Sequence, residues 1–294
     1  MESIIYVTSM PWDTGLHQLD AETDFQRARR RQVLAALSGR LRREPDDINL
    51  ILPFDEVVRA LGRKGERALG LQTITLASIV GTIDRTRDFD RRFRPTSNRL
   101  RERWQGIDMA LRRGRGMPPI SVYRIGDLHF VRDGHHRVSV ALALHHSVIE
   151  AHVTEIETEI PADGISSRGD LVVKDYQRLF RQRVPLPADL AARIHLTDPW
   201  DYAQLSEAVE AWAFRLVQDE RQFLDRRAAA RRWFEEEYLP VVSMLHDAGL
   251  VGDGTDAEAY IRVACDRYRL IRTHEWSDEI VARLRPRPRR GRRA

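Results

Sequence analysis

The sequence predicts an α+β protein. A mixed central domain spans residues 71–160, a helical cap residues 1–70, a mostly α-helical half residues 161–282, and an arginine-rich tail residues 283–294. Three observations carry this. Leu128 to Val131 is a short apolar run, followed at once by Asp133-Gly134-His135-His136-Arg137 and then by Val138, Ala141, Leu142 and His145 on one helical face. Strand, tight turn and helix therefore succeed one another. Next, Ile149, Ala151 and Val153 alternate with Glu150, His152 and Thr154, the period of a half-buried strand. Past the Pro161-Ala162-Asp163-Gly164 turn, the apolar period is helical throughout.

At 294 residues and 42% hydrophobic content, the chain can build one large domain or two ordinary ones. No run approaches the roughly 18 apolar residues of a membrane span, and no basic-then-apolar leader opens the chain, so a cytoplasmic protein without membrane partners is expected. The single Cys265 excludes an intrachain disulfide and a cysteine-based zinc site, and reads as a small buried residue. The net charge of +4 is misleading. Residues 283–294 hold seven arginines and no acid, which leaves the other 282 residues at −3.

In chain order, Ile4 to Val7 suggests a short strand before a Pro11 turn. Asp24 to about Arg43 is helical, with Phe25, Val33, Leu34, Leu37 and Leu41 as inward candidates. Pro53 opens a second helix through Val57, Val58 and Leu61, and Gly62, Gly65 and Gly70 mark its exit. Thr73 to Leu76 reads as a strand and Ala77 to Val80 as a helical turn ending at Gly81. Between Arg85 and Arg115 stand eleven arginines against four acids, the densest positive stretch outside the tail. Thr96 or Ser97 can cap a helix carrying Leu100, Trp104, Ile107 and Leu111, and Gly114 can end it. Pro118-Pro119-Ile120 forces extension into a hairpin, Ser121 to Ile125 and Leu128 to Val131, turning at Gly126-Asp127. Farther on, Leu205, Val209, Trp212 and Leu216 form one stripe, and Phe234, Tyr238, Val241 and Leu245 another, bent at Pro240. Thr255-Asp256-Ala257-Glu258 is a capping box for a helix with Tyr260, Ala264, Tyr268 and Ile271, and the tail reads as disordered.

The Asp133–Arg137 turn is the chemical signal. A helix start leaves backbone N–H groups unpartnered and carries about half a positive charge, so it welcomes an anion. Gly134 permits close approach, and Arg137 can grip phosphate oxygens with two parallel hydrogen bonds. Asp133 can alternatively serve only as a helix cap.

Residues Leu71 to about Glu155 resemble the ParB/sulfiredoxin superfamily. The likeness is carried by the Thr75-Leu76 strand, Arg92-Phe93-Arg94-Pro95, Gly116-Met117-Pro118-Pro119-Ile120, and the Tyr123–Val131 run into Gly134-His135-His136-Arg137. The resemblance implies a nucleotide-binding α+β fold. In it, Gly134, His135, His136 and Arg137 hold phosphates, Gly116 and Pro119 shape the pocket, and Arg94 contributes positive charge. The ligand implied is a nucleoside triphosphate, CTP or ATP, and the function a nucleotide-dependent switch or a DNA-associated, chromosome-partitioning-like factor. Chromosome-partitioning ParB proteins carry Glu and Arg where this chain has His135 and His136. Sulfiredoxins place a cysteine at the position of His135, so the thiolate of sulfinic acid reduction is missing here. The spelling Asp-Gly-His-His-Arg also looks like the loop of free-serine kinases. This implies phosphoryl transfer to a small hydroxyl compound, with His135 or His136 steadying the phosphate and Asp133 positioning the acceptor.

Six of the ten histidines fall between His129 and His152, but their spacing fits no helical metal pair. Asp84, Asp88 and Asp90 could hold Mg²⁺ beside a triphosphate or serve a ParB-like nuclease; they could equally neutralise neighbouring arginines. Pro187 to Ile194 could begin a helix-turn-helix and the tail could bind DNA phosphates. A homodimer is left open.

Overall fold

The computed structural model describes residues 14–43, 50–221 and 223–271, with side chains described to Cys265. The chain divides into two compact units, residues 1–171 and 172–294. The expected Ile4–Val7 strand, the Pro11 turn, the side chains of Tyr268 and Ile271, and the arginine tail lie outside the described residues.

The first unit is a six-stranded mixed sheet. Its strands are β1 (Leu52–Pro53), β2 (Arg63–Thr75), β3 (Ile79–Thr82), β4 (Ile120–Ile125), β5 (Leu128–Asp133) and β6 (Val148–Thr158), in the order β1-β3-β5-β4-β6-β2. The β1–β3, β3–β5 and β4–β6 pairs are parallel, and β4–β5 and β2–β6 antiparallel. Helices α1 (His17–Leu41), α2 (Phe54–Leu61), α3 (Arg101–Arg112) and α4 (His135–Ala143) complete it, and α5 (Arg168–Arg183) spans the division between the units. Successive residues of a strand point to opposite faces. Val131 accordingly joins Ile120, Val122 and the α4 residues Val138 and Ala141 in one cluster, while Phe130 packs with the α2 residues Phe54, Val57 and Leu61 in another.

Several expectations are corrected. The boundary expected after residue 70 falls inside β2, so residues 1–70 are not a purely helical cap. Arg63 to Gly70 form the first part of a thirteen-residue strand, eleven of whose residues find partners on β6. The helical turn expected at Ala77–Val80 is a short 3₁₀ turn, Leu76–Ser78, followed by β3. Gly81 lies in that strand rather than ending a helix, and only glycine fits there, because a Cβ would stand 2.2 Å from the Phe130 ring. Ser97 makes no side-chain cap, and its helix begins as a 3₁₀ turn. In α1 only Phe25 of the five inward candidates is buried; Val33, Leu34, Leu37 and Leu41 are exposed.

The buried side of α1 rests on α3. Phe25 meets Trp104 edge-on at 5.6 Å, and Trp104 Nε1 donates to Ser139 Oγ of α4 at 2.8 Å, so three helices are tied in series. Beside them Arg112, itself buried, donates to Asp108 Oδ1 at 2.6 Å and to Asp24, with Asp20 3.8 Å away. Asp108 Oδ2 has no partner, and burial, with Asp24 and Asp20 adding to it, raises its carboxyl to about 6 against the pull of Arg112.

The second unit contains α6 (Ala188–Ala191), α7 (Pro199–Glu220), α8 (Arg226–Trp233), α9 (Leu239–Asp247) and α10 (Asp256–Ile271). Trp233, Phe234, Tyr238, Tyr260 and Tyr202 form its core with Leu205 and Leu245. A π-helical turn, Phe234–Tyr238, sits where a bend at Pro240 is expected, since proline cannot donate the i−4 hydrogen bond. The capping box forms as written: Thr255 N donates to Glu258 Oε2 at 2.9 Å, and Glu258 N to Thr255 Oγ1 at 3.2 Å. The suggested helix-turn-helix opening is the single four-residue turn α6, too short to span a DNA backbone. Cys265 is exposed rather than buried.

Candidate functional site

Strand β5 ends at Asp133, and Gly134 turns the chain into α4 with φ +103°. Only glycine fits: a Cβ would lie 2.4 Å from Ile120 Cγ2, and the backbone is in the left-handed region. No side chain caps α4, so its first N–H groups keep their unmet demand for an acceptor.

The predicted residues take three different roles. Arg137 reaches back to the loop before β4. Its Nη1 donates to the carbonyls of Pro118 and Pro119, both at 2.8 Å, and its Nη2 to Asp133 Oδ2 at 2.5 Å. Three of its five donors are thus committed to holding the Gly116–Pro119 loop against α4. Asp133 is not the cap of α4: its Oδ2 accepts from Arg137, and no side chain bonds the helix's first N–H groups.

His135 and His136 are both buried. His135 Nε2 lies 2.6 Å from Thr82 Oγ1, and its ring stacks on Phe89; His136 meets Phe89 edge-on at 5.3 Å, and its buried Nδ1 has no partner. Burial pushes both imidazoles down to about 4, with Arg85 adding to the shift at His135 and Arg103 and Arg85 at His136. Both are neutral at pH 7 and act as hydrogen-bonding groups, not cations. His129, 2.8 Å from Ser78 Oγ, is likewise lowered to about 4 by burial and then by Arg124.

Arg94 is a brace rather than a pocket residue. Its Nε donates to Asp90 Oδ2 at 2.7 Å and its Nη1 to the Arg31 carbonyl at 2.9 Å. Asp90 Oδ1 accepts from the N–H groups of Arg92 and Arg94, at 3.0 and 2.9 Å. Asp88 pairs with Arg85 and Arg99; burial would raise its carboxyl, but the two arginines together hold it below the usual range. Asp88 and Asp90 therefore neutralise arginines. Asp84 is exposed, and among the described residues no group of three His, Cys, Asp or Glu could hold a metal ion.

An open hollow of about 240 Å³ lies beside Arg137. Ile107 and Leu111 of α3 and Met117 of the loop give it an apolar floor, and Arg103, Arg115 and Arg137 line it. Gly116 and Pro118 belong to its wall; Pro119 does not line it, and its carbonyl holds Arg137. Sequence reasoning misses Arg103 and Arg115 as site residues. Arg103 stands four residues before Ile107, on the same helical face, so the i, i+4 spacing carries the signal. The segment's overall arginine density hides it.

Among the described residues, no helix is long and apolar enough to cross a membrane. The chain matches no protein-family model, no curated protein and no solved structure, so the reading of this site rests on its geometry alone.

Proposed function

We propose that the first unit binds a nucleoside triphosphate, with its phosphates at the start of α4 and the remainder in the hollow beside α3. The observation that carries this is the hollow lined by Arg103, Arg115 and Arg137, the last of these a residue of the uncapped first turn of α4. A helix start and several guanidinium groups together suit a polyphosphate better than a single carboxylate. Arg137 works mainly by fixing the Pro118–Pro119 wall, and Arg103 and Arg115 supply charge. His135 and His136, both buried, do not line the hollow and support the first turn of α4 from within. Binding would make the unit a nucleotide-dependent switch.

Isothermal titration with CTP and ATP, with and without Mg²⁺, tests the reading. Saturable binding that weakens in Arg103→Ala and Arg137→Ala is expected. Absence of heat with every nucleoside triphosphate would overturn it.

A second reading, phosphoryl transfer to a small hydroxyl compound, is favoured by one observation. The Asp133 side chain is 66% exposed and only its Oδ2 is engaged by Arg137, so Oδ1 is open to an acceptor hydroxyl. Incubation of γ-labelled ATP with a pool of small hydroxyl metabolites separates the two, because a switch yields no phosphorylated product.

A further inference from the structure

Helix α1 carries two apolar faces. Ala21, Phe25 and Ala28 face inward and are buried. Leu16, Leu19, Val33, Leu34, Leu37 and Leu41 are 60, 56, 44, 65, 50 and 86% exposed. At about 100° per residue, the second group falls on the opposite side of the helix from the first.

The outward positions follow a register. Leu16, Leu19, Thr23, Gln26, Arg30, Val33 and Leu37 are spaced alternately by three and four residues, and all seven are exposed. That is the spacing of a coiled-coil seam. A straight helix drifts by about 20° per heptad against this repeat, so Leu41 takes over from Arg40 in the last turn. The seam is apolar at both ends and polar in the middle.

We propose that this face of α1 pairs with the same face of a second copy of the chain, antiparallel, about a two-fold axis at the level of Ala28. In that register Leu19 of each copy faces Leu37 of the other, Thr23 faces Val33, and Gln26 faces Arg30. Leu16 meets the Arg40–Leu41 turn. Leu19 with Leu37, and Leu16 with the Leu41 turn, pair apolar with apolar; Val33 meets the methyl-bearing Thr23, and the polar Gln26 meets Arg30. A parallel pair would instead set Arg30 against Arg30 in the seam, where like charges repel.

The charge distribution points the same way. All acids of α1 lie at or before Asp24, and residues 25–43 contain seven arginines and no acid. Asp20 and Asp24 are buried against Arg112, so Glu22 is the acid left outside, and antiparallel pairing brings it within a turn of Arg30 and Arg31 of the other copy. An isologous interface of this kind is the commonest way for a chain to assemble with itself. It uses none of the residues of the proposed nucleotide site.

Sedimentation equilibrium of the full chain tests the proposal. The wild type is expected at twice 34.1 kDa at tens of micromolar, and Leu19→Glu and Leu37→Glu at 34.1 kDa with unchanged circular dichroism. Gln26→Glu should tighten the dimer roughly fivefold, by adding two exposed ion pairs with Arg30, and Gln26→Arg should loosen it by a similar factor. In a Cys265→Ser background, oxidation of a Leu19→Cys chain mixed with a Leu37→Cys chain should yield the mixed disulfide. A monomer at every concentration, a dimer that survives both glutamates, or a Leu19→Cys chain that cross-links only to itself would overturn the proposal. So would a monomer that binds anionic vesicles through Leu37, which would give this face to a lipid surface.

Discussion

Helices α4 and α10 begin in opposite ways. At α10 the chain meets its own needs: Thr255 and Glu258 exchange hydrogen bonds, and Glu258 also accepts from Thr197 N and Oγ1 at 3.0 and 2.5 Å. Asp198 and Asp225 cap α7 and α8 through the N–H groups of Trp200 and Ala228. At α4 the carboxylate of Asp133 is close in sequence, but Arg137 has drawn it away, and Gly134 has no side chain to offer. The difference lies in which group holds the nearby carboxylate. A helix start saturated by its own side chains is structural, whereas at α4 the nearby acid is diverted to Arg137 and no side chain caps the first turn.

Acid should separate the two regions most. His135 and His136 in the first turn of α4, and His129 on β5, have folded values near 4 against an ordinary 6.5. The unfolded chain binds more protons between these values, so the stabilisation is full above about pH 6.5 and is lost as pH falls toward 4. Each histidine contributes at most roughly 3 kcal/mol. Asp108, raised to about 6, works in the opposite sense over part of the same range, one group against three. Urea melts at pH 7 and 4.5 should show the loss, with a smaller pH dependence in His136→Gln; equal midpoints in the wild type would contradict the buried neutral imidazoles.

Gly134→Ala comes next. The clash with Ile120 and the left-handed backbone together should cost about 3 kcal/mol, read from the urea midpoint at pH 7. Wild-type stability would mean that the turn relaxes. Glu258→Ala should cost about 1–2 kcal/mol by removing a helix cap, with nucleotide affinity unchanged. A change in affinity would show that the self-capped start is not purely structural. The smallest stability effect is expected for Arg103→Ala, within about 0.5 kcal/mol for a side chain at the surface of the hollow. Its nucleotide affinity should nevertheless fall about tenfold, since hydrogen bonds to charged groups are worth about 1.5–3 kcal/mol.

Local signals are legible in the sequence. The β4–β5 hairpin, the Gly134 turn, α4 and the Thr255–Glu258 box all appear where residue type and spacing place them. What the sequence hides is tertiary. The helical period of α1 marks apolar faces without saying which one is covered, so it picks out Phe25 correctly and Leu34, Leu37 and Leu41 wrongly. The first half of β2 has glycines and charges that resemble a loop, and it is a strand because β6 pairs with it. Arg137 is legible as a site residue, but its commitment to Pro118 and Pro119 depends on a loop that sequence alone does not bring near. The burial of His135 and His136 depends on Phe89 and Thr82, more than forty residues upstream.

The rim strand β2 carries a last consequence. Among the described residues it pairs with β6 on one side, and the sheet order leaves no strand on the other. Such a border invites foreign strands to add on and build aggregates. Here Arg63, Lys64 and Arg67 stand guard, and the register slips between Arg63 and Gly65 and again between Ala68 and Gly70, interrupting the flat template and kinking it. Electrostatic guarding fades as salt shortens the reach of charge, so the chain's solubility should be poorest in concentrated salt, where only the kink still protects it.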